Sequence, residues 1–149
     1  MTRIDIDDAA ARRARREQVV LEHMQTENRH EFDKTIKTFS QPRYELVPSG
    51  RVIDGWDDVA AYYVDGRTII PDQRNELIKL HHSDDSVIVE FWLRGTHTGG
   101  DNPTGRAFKC QMCAIFTFDG DDDDLMTCER VYFDQATITD QLQAKRPAD

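Results

Sequence analysis

The chain has 149 residues, 19 of them basic and 28 acidic, for a net charge of -9. This length can bury roughly 68–70% of the unfolded surface in one domain, residues 1–149, and the acidic balance argues against nucleic acid, whose binders cluster Lys and Arg. No apolar run approaches the roughly 20 residues that span a bilayer, and the N-terminus lacks the apolar segment of a signal peptide, so the expectation is a cytoplasmic protein with no membrane partner.

Residues 8–27 read as a helix rich in Ala, Arg, Glu and Gln. Its basic run, Arg12 to Arg16, reads as a solvated face. Val20, Met24 and Glu27 fall on one stripe, with His23 at its edge. Glu27 on such a stripe either pairs with a pocket arginine such as Arg130 or lies exposed. Asn28, with Glu31 three residues on, has the form of a capping box for a second helix carrying Phe32, Ile36 and Phe39. "SQP" at 40–42 ends that helix.

Two short strands follow, "RYELV" (43–47) and "RVID" (51–54), then a third helix, "GWDDVAAYYVDG", with Val59, Tyr62 and Tyr63 on its apolar side. Pro71 makes "TIIPD" a connector. The remainder is nearly all β: "RNELIKLHH", "SVIVEFWLRGTH", the loop "TGGDNPTG", "RAFKCQMCAIFTF", the turn "DGDDDD" and "LMTCERVYFD". Long neighbouring strands with short turns predict an antiparallel meander. Helices grouped ahead of such a sheet predict an α+β fold, with a curved sheet wrapped on the helices and a cavity at its open end.

Cys110 and Cys113 form C-x-x-C, but residues three apart on a strand face opposite ways, so these thiols do not share a metal or a disulfide. Cys128 has no second pair to join, and all three read as small hydrophobes. His81 and His82, adjacent on a strand, also diverge. "DDDD" (121–124) lacks the spaced ligands of a calcium loop and reads as a solvated turn. No metal site is expected.

Strand parity shows what could line the cavity. Val87, Val89, Phe91, Leu93 and Gly95 share a face that leads to His97. Phe108, Cys110 and Met112 begin a similar apolar face on the next long strand. On the last strand Cys128, Arg130, Tyr132 and Asp134 oppose Glu129, Val131 and Phe133, and composition does not decide which set is inside. Asp134, at the end of a strand of β-formers, either caps the following helix or is a carboxylate aimed into an apolar pocket for proton transfer.

"GTHTG" (95–99), "PTGR" (103–106), an acidic hairpin tip, "ERVYFD" and "DQL" (140–142) together resemble the SnoaL-like polyketide cyclases, within the nuclear-transport-factor-like superfamily that includes ketosteroid isomerases. The resemblance implies an α+β cone enclosing a hydrophobic pocket, usually in a homodimer. It also implies a cofactor-free general acid/base aspartate on the last long strand, matching Asp134 and placing Arg130 and Tyr132 on the pocket side. No His occupies the penultimate strand, where characterised cyclases can carry one.

The site expected on these grounds has Asp134 as base and His97 or Tyr132 hydrogen-bonding the substrate oxygen, with Tyr132, Arg130, Tyr62, Phe91 and Met112 contacting a hydrophobic small molecule. The function this implies is proton transfer on an apolar oxygenated ligand such as a polyketide. The alternative is a binding or accessory protein with the same pocket and no turnover.

Overall fold

The computed structural model describes residues 1–119 and 124–143. Helix α1 (Arg3–Asn28) starts earlier than its apolar pattern, because Thr2 and Asp5 form a capping box that satisfies orphan N–H groups at its first turn. Its first turns carry no buried residue; from Arg16 onward Val20, His23, Met24 and Thr26 are buried. Arg16 departs from the solvated-face expectation. Its guanidinium lies 5.1 Å above the Phe118 ring and donates to the Asp84 carbonyl at 2.9 Å. Arg15 pairs with Asp124 at 3.0 Å; the other aspartates of "DDDD", 121–123, lie outside the described residues.

Asn28 does not cap the next helix. Its amide instead exchanges two hydrogen bonds with the Asn75 backbone, at 2.9 and 2.8 Å. The chain turns at His30, which adopts a positive φ of 58°. A short α2 (Phe32–Thr35) then runs into a 3-10 turn (Ile36–Thr38). Helix α3 (Trp56–Ile69) continues a turn beyond Gly66, where the sequence pattern placed its end.

Six strands form one sheet in the order β2-β1-β6-β5-β4-β3. These are β1 (Arg43–Leu46), β2 (Arg51–Asp54), β3 (Arg74–His82), β4 (Ser86–Thr96), β5 (Ala107–Phe118) and β6 (Met126–Tyr132). Strands β3 to β6 are the expected antiparallel meander. The β1–β6 junction is parallel and sets Tyr44 beside Glu129 and Leu46 beside Val131. One sheet face packs on α1 and α3, so β4 buries Val87, Val89 and Phe91, and β5 buries Phe108, Cys110, Met112, Ala114 and Phe116. Cys113 points to the opposite side, and the three cysteines are free. Helix α4 (Gln135–Leu142) closes over the end of β5, clipped there by Gln141 to the N–H and carbonyl of Lys109 at 3.0 and 2.8 Å. No described helix is long and apolar enough to cross a membrane.

Candidate active site

Between the sheet, α1, α3 and α4 lies a cavity of about 270 Å³. Its walls include Leu46, Phe91, Phe108, Met112, Phe133 and Ile138. Tyr62, Phe91 and Met112, expected to contact a ligand, all reach it. Among its polar groups His23, Glu27, Tyr44 and Glu129 gather together, and Gln73, Asn75 and Gln135 also line it.

These groups come together because their elements bury polar side chains among apolar ones. His23 and Glu27 sit four apart on the face of α1 that also buries Val20 and Met24. Glu129 shares the inner face of β6 with Val131, and the parallel pairing brings Tyr44 alongside it. His23 is fully buried. Its Nδ1 lies 2.9 Å from the Thr38 hydroxyl, whose own proton goes to the Thr35 carbonyl at 2.5 Å. Thr38 must therefore accept, and Nδ1 carries a hydrogen. Nε2 faces Glu129 Oε2 at 3.1 Å, Glu27 Oε2 at 3.4 Å and the Tyr44 hydroxyl at 3.1 Å. A bare lone pair against two carboxylates would be repulsive, so Nε2 is protonated as well. His23 is an imidazolium. Burial pulls its pKa down, but the contacts with Glu129 and then Glu27 outweigh that and raise it to about 9.

The two carboxylates are not equivalent. Burial pushes Glu27 up, yet the contact with His23 and the charge of Arg67 hold it down at about 2. Arg67 donates to Glu27 Oε1 at 2.8 Å and lies 5.1 Å above the Phe32 ring. Glu129 has only a share of His23. Its Oε2 is buried and short of a well-aligned donor, with His23 Nε2 at 3.1 Å. Burial is the dominant influence and raises its pKa, with the Glu27 charge adding to the rise. The two neighbouring carboxyls are thus pushed in opposite directions. Tyr44 and Tyr63 hydrogen-bond to each other at 2.7 Å, and burial raises both phenols, keeping them neutral. Tyr62 lines the cavity, and burial raises its phenol also.

The other expected site residues lie elsewhere. Asp134 is exposed and caps α4, its oxygens accepting from Ala136 N at 3.1 Å and the Thr137 hydroxyl at 2.8 Å. Parity explains this: β6 turns Glu129 and Val131 inward, so Arg130 and Tyr132 point outward. Arg130 pairs with Glu45 at 2.9 Å, and Tyr132 is 42% exposed on the outer face of the sheet. His97 lies past the end of β4 and ties down its own loop, with Nδ1 3.2 Å from the Thr104 hydroxyl. That loop docks on the end of α3 rather than over the cavity. Gly99 N–H donates to the Ile69 carbonyl at 3.0 Å, and a Cβ at Gly99 would lie 1.9 Å from the Thr68 carbonyl oxygen.

Glu129 and His23 are the residues that sequence reasoning passed over. Their signal was a charge on an otherwise apolar stripe in two separate elements. Among the described residues, no group of three or more His, Cys, Asp or Glu side chains is arranged to hold a metal ion.

A family model described as a SnoaL-like domain matches residues 20–127, a stretch that includes His23 and Glu27 and ends just before Glu129. Three solved structures share the fold. A candidate SnoaL-like polyketide cyclase from Jannaschia sp. CCS1 is 16% identical, with a TM-score of 0.75 over 89% of this chain and 94% of that one. A phenazine biosynthesis-related protein from Pseudomonas aeruginosa is 19% identical, with a TM-score of 0.74 over 97% of this chain and 95% of that one. An NTF2-like protein of unknown function from Burkholderia pseudomallei K96243 is 18% identical, with a TM-score of 0.74 over 87% of this chain and 98% of that one. At these identities the likeness concerns the fold alone. No curated protein matches the sequence.

Proposed function

This chain belongs to the SnoaL-like domain family, and on that footing we propose that it moves protons on a small apolar ligand bearing a carbonyl, with Glu129 as the acid/base group. The observation that supports this reading is a 6% exposed glutamate on the cavity wall, short of hydrogen-bond donors, beside a second glutamate that holds the stronger cation contacts. Ionised Glu129 would take a proton from the carbon next to the carbonyl. The neutral phenol of Tyr62 would donate to the carbonyl oxygen as negative charge develops there. The carbanion then either regains the proton from Glu129 at another carbon, an isomerisation, or attacks a second carbonyl, a cyclisation in which Glu129 returns its proton to the alkoxide formed. His23 stays an imidazolium throughout and orients Glu129, kept charged by Glu27, which Arg67 in turn holds ionised. Phe91 and Met112, paired across β4 and β5, would hold the ligand body.

The test uses 2-tetralone, a two-ring ketone with exchangeable α-hydrogens, in D₂O with purified protein. Proton NMR should show loss of the α-hydrogen signal faster than in buffer. Glu129→Gln should slow the protein-dependent rate by roughly 10²–10⁴-fold, the usual share of general acid–base catalysis. Tyr62→Phe should slow it less. Equal exchange by wild type and Glu129→Gln would overturn the assignment.

A further inference from the structure

The polar side of the cavity has an uneven supply of donors and acceptors. Both N–H groups of His23 are engaged, Nδ1 with Thr38 and Nε2 against the two carboxylates. The Arg67 Nη2 group is given to Glu27 while its Nε–H is buried without an acceptor, and the hydroxyls of Tyr44 and Tyr63 bond to each other. Glu129 is left with a buried oxygen that has no well-aligned donor, only its share of His23 Nε2 at 3.1 Å. A buried acceptor without a donor is costly, so a ligand that supplies one gains more than a ligand of the same shape that does not.

Charge narrows the choice further. The cluster holds two carboxylates, one imidazolium and one guanidinium, and each cation is already in contact with a carboxylate. A ligand carboxylate entering here would meet Glu27 and Glu129 on the cavity wall, which Arg67 does not reach, and would lose its hydration. Size limits the ligand too. About 270 Å³ lies just under the roughly 300–1,000 Å³ of pockets for drug-sized molecules.

We infer that the cavity takes an apolar molecule of one or two rings that presents an O–H or N–H donor to Glu129, and that it turns away carboxylic acids. This rests on the same site as the proton-transfer reading and adds the polarity of its ligand.

Isothermal titration of the full chain with four naphthalenes tests it: 2-naphthol, protonated 2-naphthylmethylamine, 2-methoxynaphthalene and 2-naphthoate. At least one of the two donors should bind roughly 10- to 100-fold more tightly than the methyl ether, the range expected for a hydrogen bond to a charged group. Which one binds separates a hydroxyl ligand from an ammonium. Naphthoate should show no binding. In Glu129→Gln and Glu129→Leu the preference for a donor should shrink to within about threefold. The wild-type panel alone is decisive should either variant fail to fold. Naphthoate binding as tightly as the better donor, a methyl ether equal to both donors, an undiminished preference in a folded variant, or no binding by any of the four would each overturn the inference. Because titration reads equilibrium, a chain that prefers donors yet exchanges no tetralone hydrogen would keep this inference and lose the catalytic one.

Discussion

Glu27 and Glu129 converge on one nitrogen, His23 Nε2, at 3.4 and 3.1 Å, yet only Glu27 has a guanidinium of its own, Arg67 at 2.8 Å. The asymmetry separates their responses to mutation. Glu27→Gln leaves Arg67 buried without its carboxylate and should cost roughly 3–5 kcal/mol, as breaking a buried pair does. Glu129→Gln removes a carboxyl that burial already disfavours in its charged form, and should cost clearly less. Urea denaturation of both variants checks the order; equal losses would contradict the unequal roles.

Stability should also depend on pH through the same cluster. His23 is raised from 6.5 to about 9 in the folded chain. A raised folded pKa gives stability that is full below the unfolded value and lost as pH rises through the folded one. The imidazolium therefore stabilises fully below pH 6.5, and its contribution, on the order of 3 kcal/mol, fades between there and pH 9. Glu129, also raised, acts in the same direction, since its ionisation is disfavoured in the fold. Glu27 works at the other end: lowered from 4.5 to about 2, it contributes stability above pH 4.5 that is lost as pH falls towards 2. Thermal melts from pH 3 to 10 should show a maximum between these limits, and His23→Gln should flatten the alkaline side.

Asp134 behaves as a cap. Asp134→Asn should be nearly silent in stability and in tetralone exchange, since Asn caps about as well as Asp, whereas Asp134→Ala should cost roughly 0.5–2 kcal/mol. A large loss of exchange in Asp134→Asn, with stability intact, would return the acid/base role to that residue.

Much of the fold was legible because β4 and β5 alternate cleanly. Val87, Val89 and Phe91 on one, and Phe108, Cys110 and Met112 on the other, could only be an inner face, and they are buried. Strand β6 offered no such contrast. Each of its faces mixes a charge with apolar residues, so a resemblance to proteins with an aspartate at its end decided the matter and chose the outward set. Period two makes that choice all-or-none: turning Glu129 inward turns Arg130, Tyr132 and Asp134 out together. The pairing of Glu27 was half visible. Its place on an apolar stripe called for a partner, but Arg67 comes from α3, and no local pattern joins the two helices. The parallel β1–β6 contact that sets Tyr44 beside Glu129 is likewise a long-range fact of topology.

The outer sheet face predicts an assembly. Ile88 and Trp92 alternate there with Glu90 and Arg94 on β4, and Tyr132 stands exposed on β6. An apolar patch of this kind rimmed by charge fits an isologous contact, so a homodimer of the 17.2 kDa chain is expected. Light scattering at micromolar concentration should give twice the chain mass, and Trp92→Glu should halve it. A wild-type monomer would remove the prediction.

The ionisation of Glu129 tests the central claim most directly. Carboxyl carbons of ¹³C-labelled glutamate can be followed by NMR from pH 2 to 9, with Glu129→Gln and Glu27→Gln spectra assigning the two resonances. The account predicts that Glu129 ionises above the ordinary glutamate value of 4.5 while Glu27 titrates near 2. A Glu129 that ionises at or below 4.5 would contradict it, leaving the cavity with two fixed anions and no group poised to move a proton.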